Sequence, residues 1–276
     1  MLLNDSLQTV RCAARAVYRA ARRRASLAPL ALLVCTAGSS CANFNLYSEQ
    51  EDIQLGTQAF QEVTGTEPIL TSGPAYDQVQ RVTERLVTSV RALKPEIASL
   101  FEWEVVVIDR PDIVNAFCLP GGKMAVYTGI LPVAESDAGL AVVMGHEIAH
   151  ATERHGTERL TRNGLMGSAI DVLLENEDHQ AVAEVVGNLG VGLPWGRQDE
   201  LEADIEGLMI LANAGYDPRE APEFWSRMAA LTGGGDDSAL SEFLSTHPSN
   251  QTRIEELQAA IPAALPLYEA ATGSAP

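Results

Sequence analysis

Two histidines four residues apart, His146 and His150, close a run of apolar residues, and this placement constrains the fold more than any other feature. The segment Asp137–Arg154 opens with AGLAVVMG, apolar nearly all round, which predicts a buried helix. Residues four apart on an α-helix differ by about 40° around the axis, so both imidazoles project from one face. Glu147 stands beside them. Two imidazoles and a carboxylate in an apolar setting need partners, because unpaired buried polar groups are costly. One zinc ion satisfies them: His146 and His150 ligate, and Glu147 lies close enough to act on water at the metal without ligating it. The competing reading is a solvated helix end, which the apolar run before the motif disfavours.

Zinc bound by two histidines needs a third protein ligand, which leaves the fourth position for water. Asp199-Glu200-Leu201-Glu202-Ala203-Asp204 opens a helix some fifty residues downstream. Glu200 is the best candidate, with Asp204 one turn further along the same face to accept a hydrogen bond from a ligand imidazole. Spacing alone leaves Glu202 as a rival, since a charge-rich helix start is otherwise a solvated face. The fold is therefore expected to bring two distant helices together.

The rest of the chain supplies enough apolar residues for one substantial domain. No period of 20–50 residues recurs. Ser48–Val63 and Tyr76–Leu93 are predicted helices, the second with Val79, Val82, Leu86 and Val90 in one stripe. Phe101–Ile108 alternates and is rich in valine, which argues for a strand. Asn115–Cys118 and Met124–Thr128 flank Pro120-Gly121-Gly122 as a β-hairpin pair. Residues 157–192 read as helical with glycine interruptions, and further helices are predicted over 197–214, 222–231 and 250–260. Gly233–Asp237 reads as a flexible loop. The Ala/Pro-rich end, 263–276, reads as a flexible tail.

The first 41 residues look like an address. Of 19 basic and 37 acidic residues, six arginines and one acid, Asp5, lie there, leaving 13 and 36 for the remainder, a formal net charge of −23. Such a body repels nucleic acid and anionic membrane surfaces. A basic stretch ends at Arg24, the apolar run Leu27–Ala37 follows, and Gly38-Ser39-Ser40 leads into Cys41. That pattern fits a lipoprotein signal cleaved before a lipidated Cys41, although such boxes prefer leucine where Gly38 stands. An ordinary signal peptide, an uncleaved anchor and an arginine-rich mitochondrial presequence are the alternatives. Residues 42–47 read as a tether. Cys12 and Cys35 fall in the leader, so Cys118 is the single thiol of the body beyond Cys41, with no partner for an intramolecular disulfide.

Taken together, these residues resemble the membrane-associated gluzincin peptidases that include the CAAX prenyl protease, HtpX, Oma and the periplasmic BepA group. The resemblance rests on His146–His150, Glu200…Asp204, Asn115-Ala116-Phe117…Pro120-Gly121-Gly122, Thr128-Gly129, Arg154-His155-Gly156, Gly215-Tyr216-Asp217-Pro218 and Thr246-His247-Pro248-Ser249. It covers about residues 48–260 in one order. It implies an α+β, predominantly helical zincin-type domain over 48–262, with a small β-sheet, one zinc ion per chain and endopeptidase activity. In that family the ligand Glu precedes the Asp by four positions, which selects Glu200. His247 matches a family histidine near the metal that can contact zinc in a self-blocked state. Arg253 matches an arginine suited to the oxyanion of the tetrahedral intermediate, and His247 is its candidate catalytic partner there. Asn115, Ala116 and Phe117 resemble the edge strand on which the family lays its peptide substrate.

The chain departs from that pattern in three places. Gly196 precedes Arg197 where the family often has serine, no long apolar stretch follows the leader, and no helical repeat follows residue 260. These features suit a single-domain lipoprotein acting on misfolded or misassembled cell-envelope proteins, in the periplasm of a Gram-negative bacterium and anchored to the outer membrane. The alternative is a zinc-stabilised chaperone or assembly factor with little proteolysis. His155 and His179 read as incidental, His155 because it faces away from the His146/His150 side.

Overall fold

A computed structural model of the chain describes residues 45–65, 67–163, 179–191, 194–232, 243, 245–247 and 251–274. The leader with Cys41, the first residues of the expected tether, the loop Gly233–Asp237 and Pro248-Ser249 lie outside the described residues.

The first helix, α1 (Glu49–Thr64), starts where Ser48 and Glu51 cap each other reciprocally, so two backbone donors that the helix leaves orphaned are satisfied. Tyr47, expected in the tether, is instead buried, and Asn45 donates to the Thr157 hydroxyl. A two-residue strand, β1 (Ile69–Leu70), leads to α2 (Pro74–Leu93), which buries its valine–leucine stripe as expected. The short α3 (Pro95–Ala98) is followed by β2 (Glu104–Ile108), β3 (Ala116–Leu119) and β4 (Lys123–Tyr127).

The sheet order is β1-β2-β4-β3. The expected hairpin forms, with β3 and β4 antiparallel around Gly121 and Gly122, both at positive φ. A Cβ on Gly122 would also meet the Trp103 ring at 2.9 Å. β2 runs parallel to β4 because β3 passes beyond it and the returning strand slots between them. This leaves β3 on the sheet edge, with all four of its residues buried.

After α4 (Leu131–Ala134), Ser136 caps α5 (Asp137–Thr152) by accepting from the Gly139 amide. Every α5 residue from Gly139 onward is buried, in agreement with its apolar sequence. The helix stops at Thr152, not at Arg154. Arg154 adopts φ 63°, a left-handed conformation that reverses the chain into α6 (His155–Arg162). Its guanidinium is held there by Asp52 and by the Tyr47 carbonyl oxygen.

α7 (His179–Leu189), α8 (Arg197–Asn213), α9 (Glu220–Thr232) and α10 (Gln251–Thr272) complete the description. α8 packs between α5 and α10. α10 was expected to end near Ala260 and the tail beyond it to fray. The helix instead runs on through Pro262 and Pro266, because its apolar face continues through Leu257, Ala260 and Ala264, all buried. Among the described residues, no helix is long and apolar enough to cross a membrane.

Candidate metal centre

The two helices predicted to meet do so at a pair of glycines. A Cβ on Gly207 of α8 would come within 2.9 Å of the His146 backbone nitrogen, and one on Gly145 within 3.2 Å of the Gly207 carbonyl oxygen. The helices therefore touch backbone to backbone. Along α8, Glu200, Ala203, Asp204 and Gly207 are buried at i, i+3, i+4 and i+7, the spacing of a single face.

Four side-chain donors converge there: His146, His150, Glu200 and His247. The two histidine Nε2 atoms lie 3.1 Å apart, and His146 Nε2 is 3.3 Å from His247 Nδ1. Glu200 Oε1 is 3.6 Å from His146 Nε2, 3.2 Å from His150 Nε2 and 3.1 Å from His247 Nδ1. Zinc–ligand bonds of about 2.0–2.1 Å in a tetrahedron put donors about 3.3–3.4 Å apart, so these separations are those of a four-coordinate zinc site. The protons agree. His146 Nδ1 faces Asp204 Oδ1 at 3.0 Å, so when Nε2 ligates a metal the ring proton stays on Nδ1. The donor set fits one zinc ion.

Glu202 lies outside this group, with Oε2 3.9 Å from His155 Nε2, so the carboxylate beside the imidazoles is that of Glu200. Glu147 is 3% exposed. Its Oε1 makes no hydrogen bond and sits 3.4 Å from His247 Nε2. His247 is seated by the segment before it: its amide donates to the Phe243 carbonyl, and the Thr246 carbonyl accepts from the Trp195 amide.

Burial and charge set the ionisation of these groups. Burial depresses His150 well below the ordinary histidine value. Burial acts the same way on His146, yet Glu200 and Asp204 outweigh it and carry that ring up to about 9. Burial would raise Glu200 and Asp204, but the Arg253 guanidinium foremost holds both below the usual carboxylate range. Burial raises Glu147, the direction that suits a general base working nearer neutrality.

The structure differs from the sequence reading in two ways. Arg253 was expected beside the oxyanion. Its guanidinium is instead taken up by carboxylates, with Nε and Nη2 each 2.7 Å from Asp204 and Nη1 2.5 Å from Glu200 Oε2, and it lies 4.0 Å above the Trp225 ring. His155 was read as facing away. It is fully buried with Nδ1 2.9 Å from His150 Nδ1, because the left-handed turn at Arg154 breaks the helix on which the reading relied. Sequence reading also passed over Trp195, which stacks on His150 at 4.2 Å and 16° and is itself covered by Arg159 at 3.5 Å. The Pro194-Trp195-Gly196 break before α8 was the available signal.

Asn115, Ala116 and Phe117 sit at the start of the edge strand. The Asn115 side chain accepts from the Ala116 amide, and among the described residues no further strand pairs with β3. Cys118 is buried, and burial pushes its thiol well above the usual value, as for an inert core residue. Gly196 caps α8 without a side-chain hydrogen bond, as its lack of a side chain implied.

An HExxH helix crossed by a helix with a downstream glutamate, beside a small mixed sheet, defines a zincin-type metallopeptidase domain. The model of peptidase family M48 matches residues 75–261, and the chain belongs to that family. It is 34% identical over 230 residues to the mitochondrial metalloendopeptidase OMA1 of Schizosaccharomyces pombe, covering 82% of this chain and 66% of that protein. It is 45% identical over 155 residues to the mitochondrial metalloendopeptidase OMA1 of Arabidopsis thaliana, covering 56% of this chain and 31% of that protein. It is 26% identical over 220 residues to the β-barrel assembly-enhancing protease of Escherichia coli K12, covering 75% and 43%. The chain thus spans between about a third and two thirds of the length of these relatives.

Proposed function

We propose that the chain is a zinc endopeptidase in which His146, His150 and Glu200 hold the metal and Glu147 is the catalytic base. The observation that carries this reading is the convergence of four side-chain donors, His146, His150, Glu200 and His247, beside a buried Glu147 whose Oε1 makes no hydrogen bond. Bound zinc would supply a lowered pKa for water and a polarised scissile carbonyl. Glu147 Oε1 takes the proton from the attacking water and returns it to the leaving amine. Asp204 fixes the His146 ring, and Arg253 neutralises Asp204 and Glu200 so that both carboxylates stay ionised in a dry site.

His247 at the fourth corner keeps the site self-blocked, and it must withdraw before water can enter. The same position favours a second reading, a zinc-stabilised assembly factor whose blocked site does little proteolysis. Glu147→Gln separates the two. With endopeptidase function the variant keeps zinc, and its cleavage of unfolded casein falls to background. Undiminished cleavage would end the mechanism. Equal rescue of an envelope defect by wild type and variant would favour the assembly factor.

Peptide substrates pair with the outer edge of β3 near Asn115, Ala116 and Phe117, with backbone contacts that demand little sequence preference. We place the protein on the periplasmic side of a Gram-negative outer membrane, lipidated at Cys41 and acting on misfolded envelope proteins. The basic stretch, short apolar run and small residues before Cys41 support this, as does the kinship with a protease of β-barrel assembly. The arginine-rich start and the mitochondrial relatives favour a presequence instead. Metabolic labelling with palmitate, present in wild type and absent in Cys41→Ala, decides between them.

A further inference from the structure

Each zinc-facing imidazole needs something at its far nitrogen to set the tautomer and the ring plane. For His146 that group is Asp204. For His150 no carboxylate among the described residues is in place; the atom at hydrogen-bond distance is Nδ1 of a third buried histidine, His155, 2.9 Å away. We propose that His155 is a positioning residue for His150, its Nδ1 accepting the His150 Nδ1 proton so that His150 Nε2 is bare and aimed at the metal. This rests on the zinc reading above and adds a residue to it.

The donor direction follows from the geometry. His150 Nε2 is the atom that joins the cluster, 3.2 Å from Glu200 Oε1 and 3.1 Å from His146 Nε2. A neutral His150 with a bare Nε2 has its proton on Nδ1, so His155 Nδ1 must be the acceptor. The His155 proton then sits on Nε2, which makes no hydrogen bond and lies 3.9 Å from Glu202 Oε2.

The local fold is arranged around this contact. On a continuous helix, residue 155 would lie about 140° around the axis from residue 150, out of reach. The left-handed Arg154, held by Asp52 and the Tyr47 carbonyl, turns the chain back so that the rings meet, with centroids 4.9 Å apart. Trp195 stacks flat on His150, Arg159 covers the outer face of Trp195, and Trp195 also touches His155 at 6.2 Å between centroids. The His150 ring is thus fixed in plane by stacking and about its axis by His155.

Charge explains why an imidazole serves here when a carboxylate serves His146. Glu147, Glu200 and Asp204 supply three negative charges, which Arg253 and one divalent ion balance. A further buried carboxylate at position 155 would leave an uncompensated charge, whereas a neutral imidazole adds none.

The test is zinc affinity by competition with a chromophoric chelator, together with the melting temperature with and without zinc. The proteins are wild type, His155→Leu, His155→Asn, His155→Gln and Glu200→Gln. His155→Leu is expected to weaken zinc binding about 10–100-fold and to shrink the zinc-induced rise in Tm. His155→Asn, whose carbonyl oxygen can occupy the Nδ1 position, restores binding to within a few-fold, while His155→Gln, which reaches the Nε2 position, does not. The Asn–Gln pair carries the test if the leucine variant does not fold. Wild-type affinity in His155→Leu, or equal losses in Asn and Gln, overturns the assignment while leaving the zinc site intact. If wild type takes up no zinc, or Glu200→Gln binds it as tightly, the underlying reading fails and the His155 role fails with it.

Discussion

Gly145 and Gly207 cross so closely that position 207 has no room for a β-carbon and one at position 145 would press on the Gly207 carbonyl at 3.2 Å, and this contact sets the height of α8 against α5. It places Glu200 and Asp204 level with His146 and His150. Since the obstacle to a Cβ at position 207 is backbone, Gly207→Ala must push the helices apart. Loss of stability of about 1–3 kcal/mol and at least tenfold weaker zinc binding are expected, read by urea unfolding and chelator competition. Wild-type values for both would show that the crossing does not set the site.

Arg253 faces two buried carboxylates, so its removal leaves them uncompensated. Arg253→Leu should destabilise the zinc-free protein by about 3–5 kcal/mol. Arg253→Lys should recover only part of that, because an ammonium cannot form the paired contacts to Asp204 and the third to Glu200. Chemical unfolding of the three proteins measures the order. Full recovery by lysine would point to simple charge balance.

His247 supplies one of four donors and blocks the position that water needs. His247→Ala should bind zinc about tenfold more weakly yet cleave unfolded casein faster than wild type. Slower cleavage with zinc retained would assign His247 a direct part in the reaction.

The first turn of α5 carries a pH-sensitive tie. Asp137 accepts from Arg81 at 2.8 and 2.9 Å and from Gln78 at 3.1 Å, and the Arg81 hydrogen bond lowers its pKa below 3.8. A carboxylate with a depressed folded-state pKa contributes stability that is present above the unfolded value and lost as pH falls through the folded one. Asp137→Asn should therefore lower Tm by about 2 °C at pH 7, with the difference vanishing in acid once pH has fallen through the depressed folded-state pKa. A difference that persists in acid would assign the effect to helix capping instead.

The local patterns of the site were legible in the sequence, and its long-range contacts were less so. His146 and His150 at i, i+4 after AGLAVVMG gave the helix, the buried face and the metal chemistry, because one helix enforces that geometry by itself. The turn chemistry of Gly121-Gly122 likewise gave the hairpin. Spacing left Glu200 and Glu202 close rivals, since the deciding factor is which face of α8 meets Gly145, a contact across sixty residues of chain. β1, two residues long, leaves no periodicity to read, and the parallel pairing of β2 with β4 is set by where β3 docks. His155 was misjudged because an arginine in the left-handed region carries no composition signal. That conformation is held by Asp52 and Tyr47, a hundred residues earlier.

The most direct measurement is zinc bound per chain after dialysis against a moderate chelator, for wild type, Glu200→Gln and Glu202→Gln. One zinc per chain in wild type and in Glu202→Gln, with little or none in Glu200→Gln, is the predicted result. Full retention by Glu200→Gln, or loss confined to Glu202→Gln, would contradict a metal centre built from His146, His150 and Glu200.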